Sequence, residues 1–134
     1  MIEATEVQPG LVLHLDPDVL EEEGGRYTCS RDRRVRGPHF FLVTGRDEQE
    51  VVVLPLYTED GVGRVELGRR GRTGHFKWVR GKSSYHPEQI WAVPVDAVVL
   101  AADAGGDLST STMRNRLAVG EIPPDVVRMP EVKR

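Results

Sequence analysis

A chain of 134 residues, 39% apolar and 29% charged, is long enough for one domain with a real core and too short for two. Its apolar runs, such as Ala97–Ala102, fall far below the roughly 20 residues of a membrane span, and a single cysteine, Cys29, excludes an internal disulfide or a cysteine-built metal site. The net charge of −3 is uneven: residues 1–25 carry seven acids and no lysine or arginine, residues 26–82 thirteen basic against seven acidic side chains, and residues 83–134 five basic against seven acidic.

The basic middle is compatible with a phosphate-binding surface or with solvated loops. The opening MIEATEVQPG has acids and no basic residue, the wrong polarity for a signal or transit peptide, so a cytoplasmic location is expected. After the turn signal Gln8-Pro9-Gly10, Leu11–Leu15 reads as a first strand, stopped by Asp16-Pro17-Asp18. Val19–Glu23 predicts one helical turn capped by Asp18 and ended by Gly24-Gly25. Arg26–Val35, polar and rich in arginine, reads as an exposed loop.

His39–Thr44 and Val51–Leu56 are short apolar runs separated by a polar turn from Gly45 to Glu50, which predicts a central β-hairpin. Arg36 stands at its entrance and Thr58 at its exit, so an antiparallel pair brings both to one end of the sheet. Further on, Arg64–Leu67, His75–Val79 and Glu88–Pro94 read as strands, and Gly68–Gly74 as a flexible basic loop without the Gly-Lys-Ser/Thr ending of a P-loop. Val95–Ala102 is an apolar run bounded by Asp103. A helix is expected over Thr110–Val119, capped by Ser109 or Thr110 and stopped by Gly120. The fold expectation is therefore mainly β: five to seven short strands in a small antiparallel barrel with one C-terminal helix, a single domain over residues 1–122 and a tail over 123–134.

Four stretches, in order, resemble the MazF/PemK family of toxin ribonucleases from bacterial toxin–antitoxin pairs. They are Pro9–Pro17 (PGLVLHLDP), Arg36–Val43 (RGPHFFLV), Val51–Thr58 (VVVLPLYT), and Ser83–Tyr85 with Glu88–Val93 (SSY, EQIWAV). The likeness spans about residues 9–120 and departs from the family pattern in an inserted segment, Arg26–Val35, and in Gly37 and Tyr57, each one residue more than the pattern has. It implies an SH3-like barrel, a homodimer, metal-independent cleavage of single-stranded RNA with no cofactor, and control by a cognate antitoxin protein. A catalytically silent SH3-like module that binds nucleic acid or a protein through the same groove is the rival reading.

Metal-independent RNA cleavage uses the 2′-hydroxyl as nucleophile and needs proton transfer and charge neutralisation at phosphorus. The resemblance carries the catalytic pair onto Arg36 and Thr58, with Arg34 next in line if the register differs. Arginine is a poor base; an imidazole suits proton transfer, which singles out His39, three residues after Arg36, unless it faces solvent as an ordinary strand residue. Tyr57 is the candidate for base stacking, while Trp91 reads as core. Arg69, Arg70, Arg72 and Lys77 are candidates to line an RNA groove, and Ser83 and Ser84 beside Lys82 either bind phosphate or form a turn. Four histidines without a close pair argue against zinc.

Overall fold

The computed structural model describes residues 2–59, 61–105 and 114–129. The chain is mainly β and is built around the expected hairpin. Strands β1 (Leu11–Leu15), β2 (Arg26–Tyr27), β3 (His39–Arg46), β4 (Glu50–Pro55), β5 (Val65–Leu67), β6 (Arg72–Thr73), β7 (Ser83–Tyr85), β8 (Trp91–Pro94) and β9 (Asn115–Leu117) alternate with helices α1 (Pro17–Glu22), α2 (Phe76–Arg80) and α3 (Val95–Gly105). Seven strands form an antiparallel sheet in the order β2-β8-β4-β3-β1-β9-β6, and β5 pairs with β7 in a separate ribbon. Among the described residues no pairing joins the two ends of the larger sheet.

Side-chain alternation splits the core between the two faces of the sheet. Leu11, Leu13, Leu15, Phe41, Val43, Val51 and Val53 pack on one side with Leu20 of α1 and Val98 and Ala101 of α3. Val12, Leu42 and Leu54 point the other way, against Trp78, Tyr85 and Leu117. Burial on both sides is why β3 and β4 read as nearly unbroken apolar runs. The turn between them is closed by Asp47, whose carboxylate accepts the backbone N–H groups of Gln49 and Glu50, each at 2.8 Å. These bonds hold the Asp47 carboxyl below its usual range. The pairing shifts between Val43 and Gly45, so Thr44 is a β-bulge, and its hydroxyl donates to Val126 O at 2.7 Å.

Five local expectations change. His75–Val79 is not a strand: His75 caps α2 by accepting the Lys77 N–H at 3.2 Å, and the helix buries Trp78. The first helix starts earlier, because Asp16 accepts the Asp18 N–H at 2.9 Å and Pro17 takes the first helical position. The apolar run after Pro94 is α3, whose small residues allow close packing over β1. Of the late helix, residues 110–113 lie outside the described residues, and Asn115–Leu117 is a strand held between β1 and β6. The expected domain boundary at 122 falls inside packed structure, since Val126 is fully buried and an added Cβ at Gly45 meets the Val127 carbonyl oxygen at 2.4 Å. Among the described residues no helix is long and apolar enough to cross a membrane.

The glycine- and arginine-rich stretch is also ordered by a buried side chain. Arg72 donates from Nε to Gly68 O at 3.0 Å, from Nη1 to Trp78 O at 2.8 Å and Gly81 O at 2.7 Å, and from Nη2 to Leu67 O at 2.7 Å. Its guanidinium lies 4.4 Å from the centre of the Trp78 ring. Burial lowers its affinity for the proton, as does the nearby Arg69, yet four carbonyl dipoles hold the charge in place. Arg72→Leu should therefore cost at least about 2 kcal/mol in urea unfolding, because four carbonyls lose a charged donor. A loss below about 0.5 kcal/mol, the size of an ordinary surface change, would show that this knot is dispensable.

Candidate functional site

The hairpin brings its entrance and exit together. Gly37 adopts φ +71°, a conformation favoured by glycine, and so turns the chain between Arg36 and Pro38. His39 then donates from Nδ1 to the Gly37 carbonyl at 2.9 Å. A carbonyl can only accept, so in the neutral ring Nδ1 carries the proton and Nε2 keeps its lone pair. Across the sheet the chain leaves β4 at Pro55. Leu56 N–H still donates to Phe40 O at 2.8 Å, and Tyr57 and Ser84 exchange both backbone bonds at 2.8 Å. That bridge ties the larger sheet to the β5–β7 ribbon. It sets the Tyr57 ring edge-on to His39, with 5.6 Å between ring centres, and leaves Thr58 exposed just beyond.

A cleft of about 460 Å³ opens at this end of the sheet, and Arg36, His39, Tyr57 and Thr58 all line it. Arg33, Arg34 and Arg64 complete a basic wall against one carboxylate among the lining residues, Glu59. The four arginines are not equivalent. Arg34 is largely buried and bonds Asp18 at 2.5 Å, with Glu21 at 4.0 Å. Burial opposes its charge, and the bond and attraction from Asp18, joined by Glu21, more than offset that. Arg64 lies over the Tyr57 ring at 4.0 Å and donates to Glu59 O at 2.9 Å. Arg33 reaches His86 Nε2 at 3.4 Å. Arg36 is exposed and makes no hydrogen bond or ion pair with another described residue, so its planar fork is available to an anion.

The other expected contacts lie elsewhere. Arg72 is committed to carbonyls, and Ser83 and Ser84 are buried in β7, where Ser84 Oγ donates to Glu59 O at 3.0 Å. Arg69 donates to Arg80 O at 3.1 Å, Arg70 pairs with Glu121 at 3.3 Å and Lys82 with Glu66 at 3.7 Å. These three and the exposed Lys77 do not line the cleft. Sequence reasoning assigned no role to Arg33, Arg64 or Gln89, which do. Arg33 belongs to the inserted basic segment, and Arg64 to a strand that gave no reason to place it near Tyr57.

A second cavity, of about 630 Å³, adjoins the cleft and is lined by Tyr27, Cys29, His86 and Met129 among others. Comparison of the chain with protein-family models, with curated proteins and with solved structures finds no match. Among the described residues no group of three or more histidine, cysteine, aspartate or glutamate side chains is placed to hold a metal ion.

Burial pushes the Cys29 thiol above its ordinary value of 9.0, with Arg33 and Arg34 only partly opposing. A raised pKa means less thiolate at any given pH below it. Maleimide labelling of native Cys29 should therefore have its midpoint above pH 9.0, whereas the urea-unfolded chain should react at lower pH. Coincident pH profiles would mean that the thiol is solvated like a free one.

Proposed function

We propose that this chain is an endoribonuclease toxin of a toxin–antitoxin pair, cutting single-stranded RNA by 2′-hydroxyl attack without a metal, on a small SH3-like barrel. The observation that carries the reading is the cleft shared by Arg36, His39 and Thr58. In this scheme Arg36 grips two nonbridging phosphate oxygens and neutralises the charge that grows on them. The Thr58 hydroxyl donates a further hydrogen bond to the same group. His39, held in the tautomer with a free Nε2, takes the 2′-proton. Attack at phosphorus then gives a cyclic phosphate, and the departing 5′-oxygen takes a proton from solvent in this open site. Tyr57 contributes a ring for base stacking beside the phosphate.

The barrel reading draws support from the chain after Pro55, which pairs with β3 through Leu56 and with β7 through Tyr57, linking the ribbon to the larger sheet. A homodimer and a cognate antitoxin follow from the family resemblance alone.

Purified wild-type protein is expected to cleave single-stranded RNA. Arg36→Ala should slow cleavage about 10²–10³-fold, the usual loss for one transition-state donor, with an unchanged melting curve. Arg36→Lys should fall between, since a point charge replaces a fork. Equal rates for wild type and Arg36→Ala would overturn the assignment. Wild-type protein that binds RNA and never cuts it would leave only the silent binding module.

A further inference from the structure

We infer that the cavity beside the cleft is a nucleobase subsite, so that one nucleotide places its phosphate among the arginines and its base against Tyr27 and Gln89. This rests on the cleft as a phosphate site and does not require cleavage. The two spaces adjoin: Arg33 and Gln89 line both. Gln89 is only 7% exposed and its amide is held at both ends, Oε1 accepting from the Tyr57 hydroxyl and Nε2 donating to Arg33 O at 3.4 Å. Each end keeps capacity for one more bond, a second lone pair on Oε1 and a second N–H on Nε2. That donor–acceptor pair on a fixed amide is the edge a base recognises by paired hydrogen bonds.

The walls suit a flat, uncharged, polar-edged ring. Tyr27, Pro87 and Met129 give apolar area, and Ser30 adds a hydroxyl. Tyr27 is fixed before any ligand arrives: its ring packs on Trp91 with 4.6 Å between centres, and its hydroxyl donates to Glu21 at 2.6 Å. Thr28 is clamped to the neighbouring loop, its N–H donating to Ile90 O and its Oγ1 accepting from Ile90 N–H, each at 3.0 Å. His86, 7% exposed, lines the same cavity, and its Nδ1 has no hydrogen-bond partner among the described residues. At about 630 Å³ the space is ample for one base. The inserted segment thereby gains a use: Tyr27 to Ser30 wall the base site, and Arg33 lines both it and the adjoining cleft. An isolated apolar ligand would leave the adjoining arginines unpaired, and a bare phosphate would leave the cavity empty; a nucleotide fills both.

Cys29 is the chain's one cysteine and lines this cavity, so its labelling reports occupancy directly. The rate of N-ethylmaleimide modification, followed by mass spectrometry, should fall several-fold with at least one of the four 5′-ribonucleoside monophosphates. Ribose 5-phosphate and inorganic phosphate should leave it nearly unchanged. Gln89→Ala should raise the nucleotide concentration required by about tenfold, the penalty for losing a paired hydrogen-bond edge. Because Gln89 is buried, the exposed wall variant Ser30→Trp, which fills the cavity without touching the core, should do the same while melting normally. No slowing by any nucleotide, or equal slowing by ribose 5-phosphate, overturns the subsite. RNA cleaved and bound with Cys29 labelling unaltered also sinks it and leaves the nuclease intact. Nucleotide protection in a protein that never cuts RNA upholds the subsite and removes the nuclease.

Discussion

The fold depends on two strands that bury both of their faces. Phe41, Leu42 and Val43 of β3 and Val51, Val53 and Leu54 of β4 are almost fully excluded from water. A slip of one residue in their pairing would send the Phe41 and Val43 side chains to the Leu42 side and disrupt both halves of the core at once. The pairing Phe41–Pro55, Leu42–Leu54 and Val43–Val53 is thus strongly specified. Everything at the sheet end inherits that precision. His39 meets Tyr57, and the exposed Arg36 and Thr58 line one cleft because the strand pairing carries both ends of the hairpin to the same place.

Burial sorts the arginines into two groups with different work. Arg72 sits among four carbonyls, and Arg46 donates from Nη1 to Ala4 O and Val7 O at 2.7 Å, pinning the N-terminal turn to the sheet. Arg34 anchors the inserted segment to α1 through Asp18. These three spend their hydrogen bonds on the chain itself. Among the described residues Arg36 has no such partner, and Arg33 and Arg64 keep much of their capacity at the cleft. The cleft has a basic wall in an acidic protein because four arginines line it against one carboxylate among the described lining residues, Glu59.

How much of this the sequence reveals depends on the range of the interaction. The hairpin is legible because its signal is local: two apolar runs and a polar turn. The meeting of Arg36 with Thr58 follows from antiparallel geometry alone. His75–Val79 misleads because alternation of polar and apolar residues over five positions fits a strand as well as a short helix, and only the His75 cap and the Trp78 burial decide. Asn115–Leu117 misleads in the opposite way, since its strand state comes from β1 and β6, which lie far off in sequence. The buried role of Arg72 is invisible in a run of arginines and glycines, because the carbonyls of Leu67, Gly68, Trp78 and Gly81 converge on it only once the chain folds around α2. In the sequence Gln89 stands out only as part of the segment Glu88–Val93; its place between two cavities needs the fold.

The Thr44 bulge has a bearing on how such a chain can vary in length. Its hydroxyl is fixed to Val126, and the neighbouring Gly45 lies flush against the Val127 carbonyl. Deleting a single codon anywhere between Phe41 and Gly45 would therefore restore a regular ladder at the cost of the seam that joins the sheet to the residues after 122. The turn at Asp47–Gln49 lies outside that seam and is exposed, so descendants of this gene are free to grow or shrink there and not in the strand beside it.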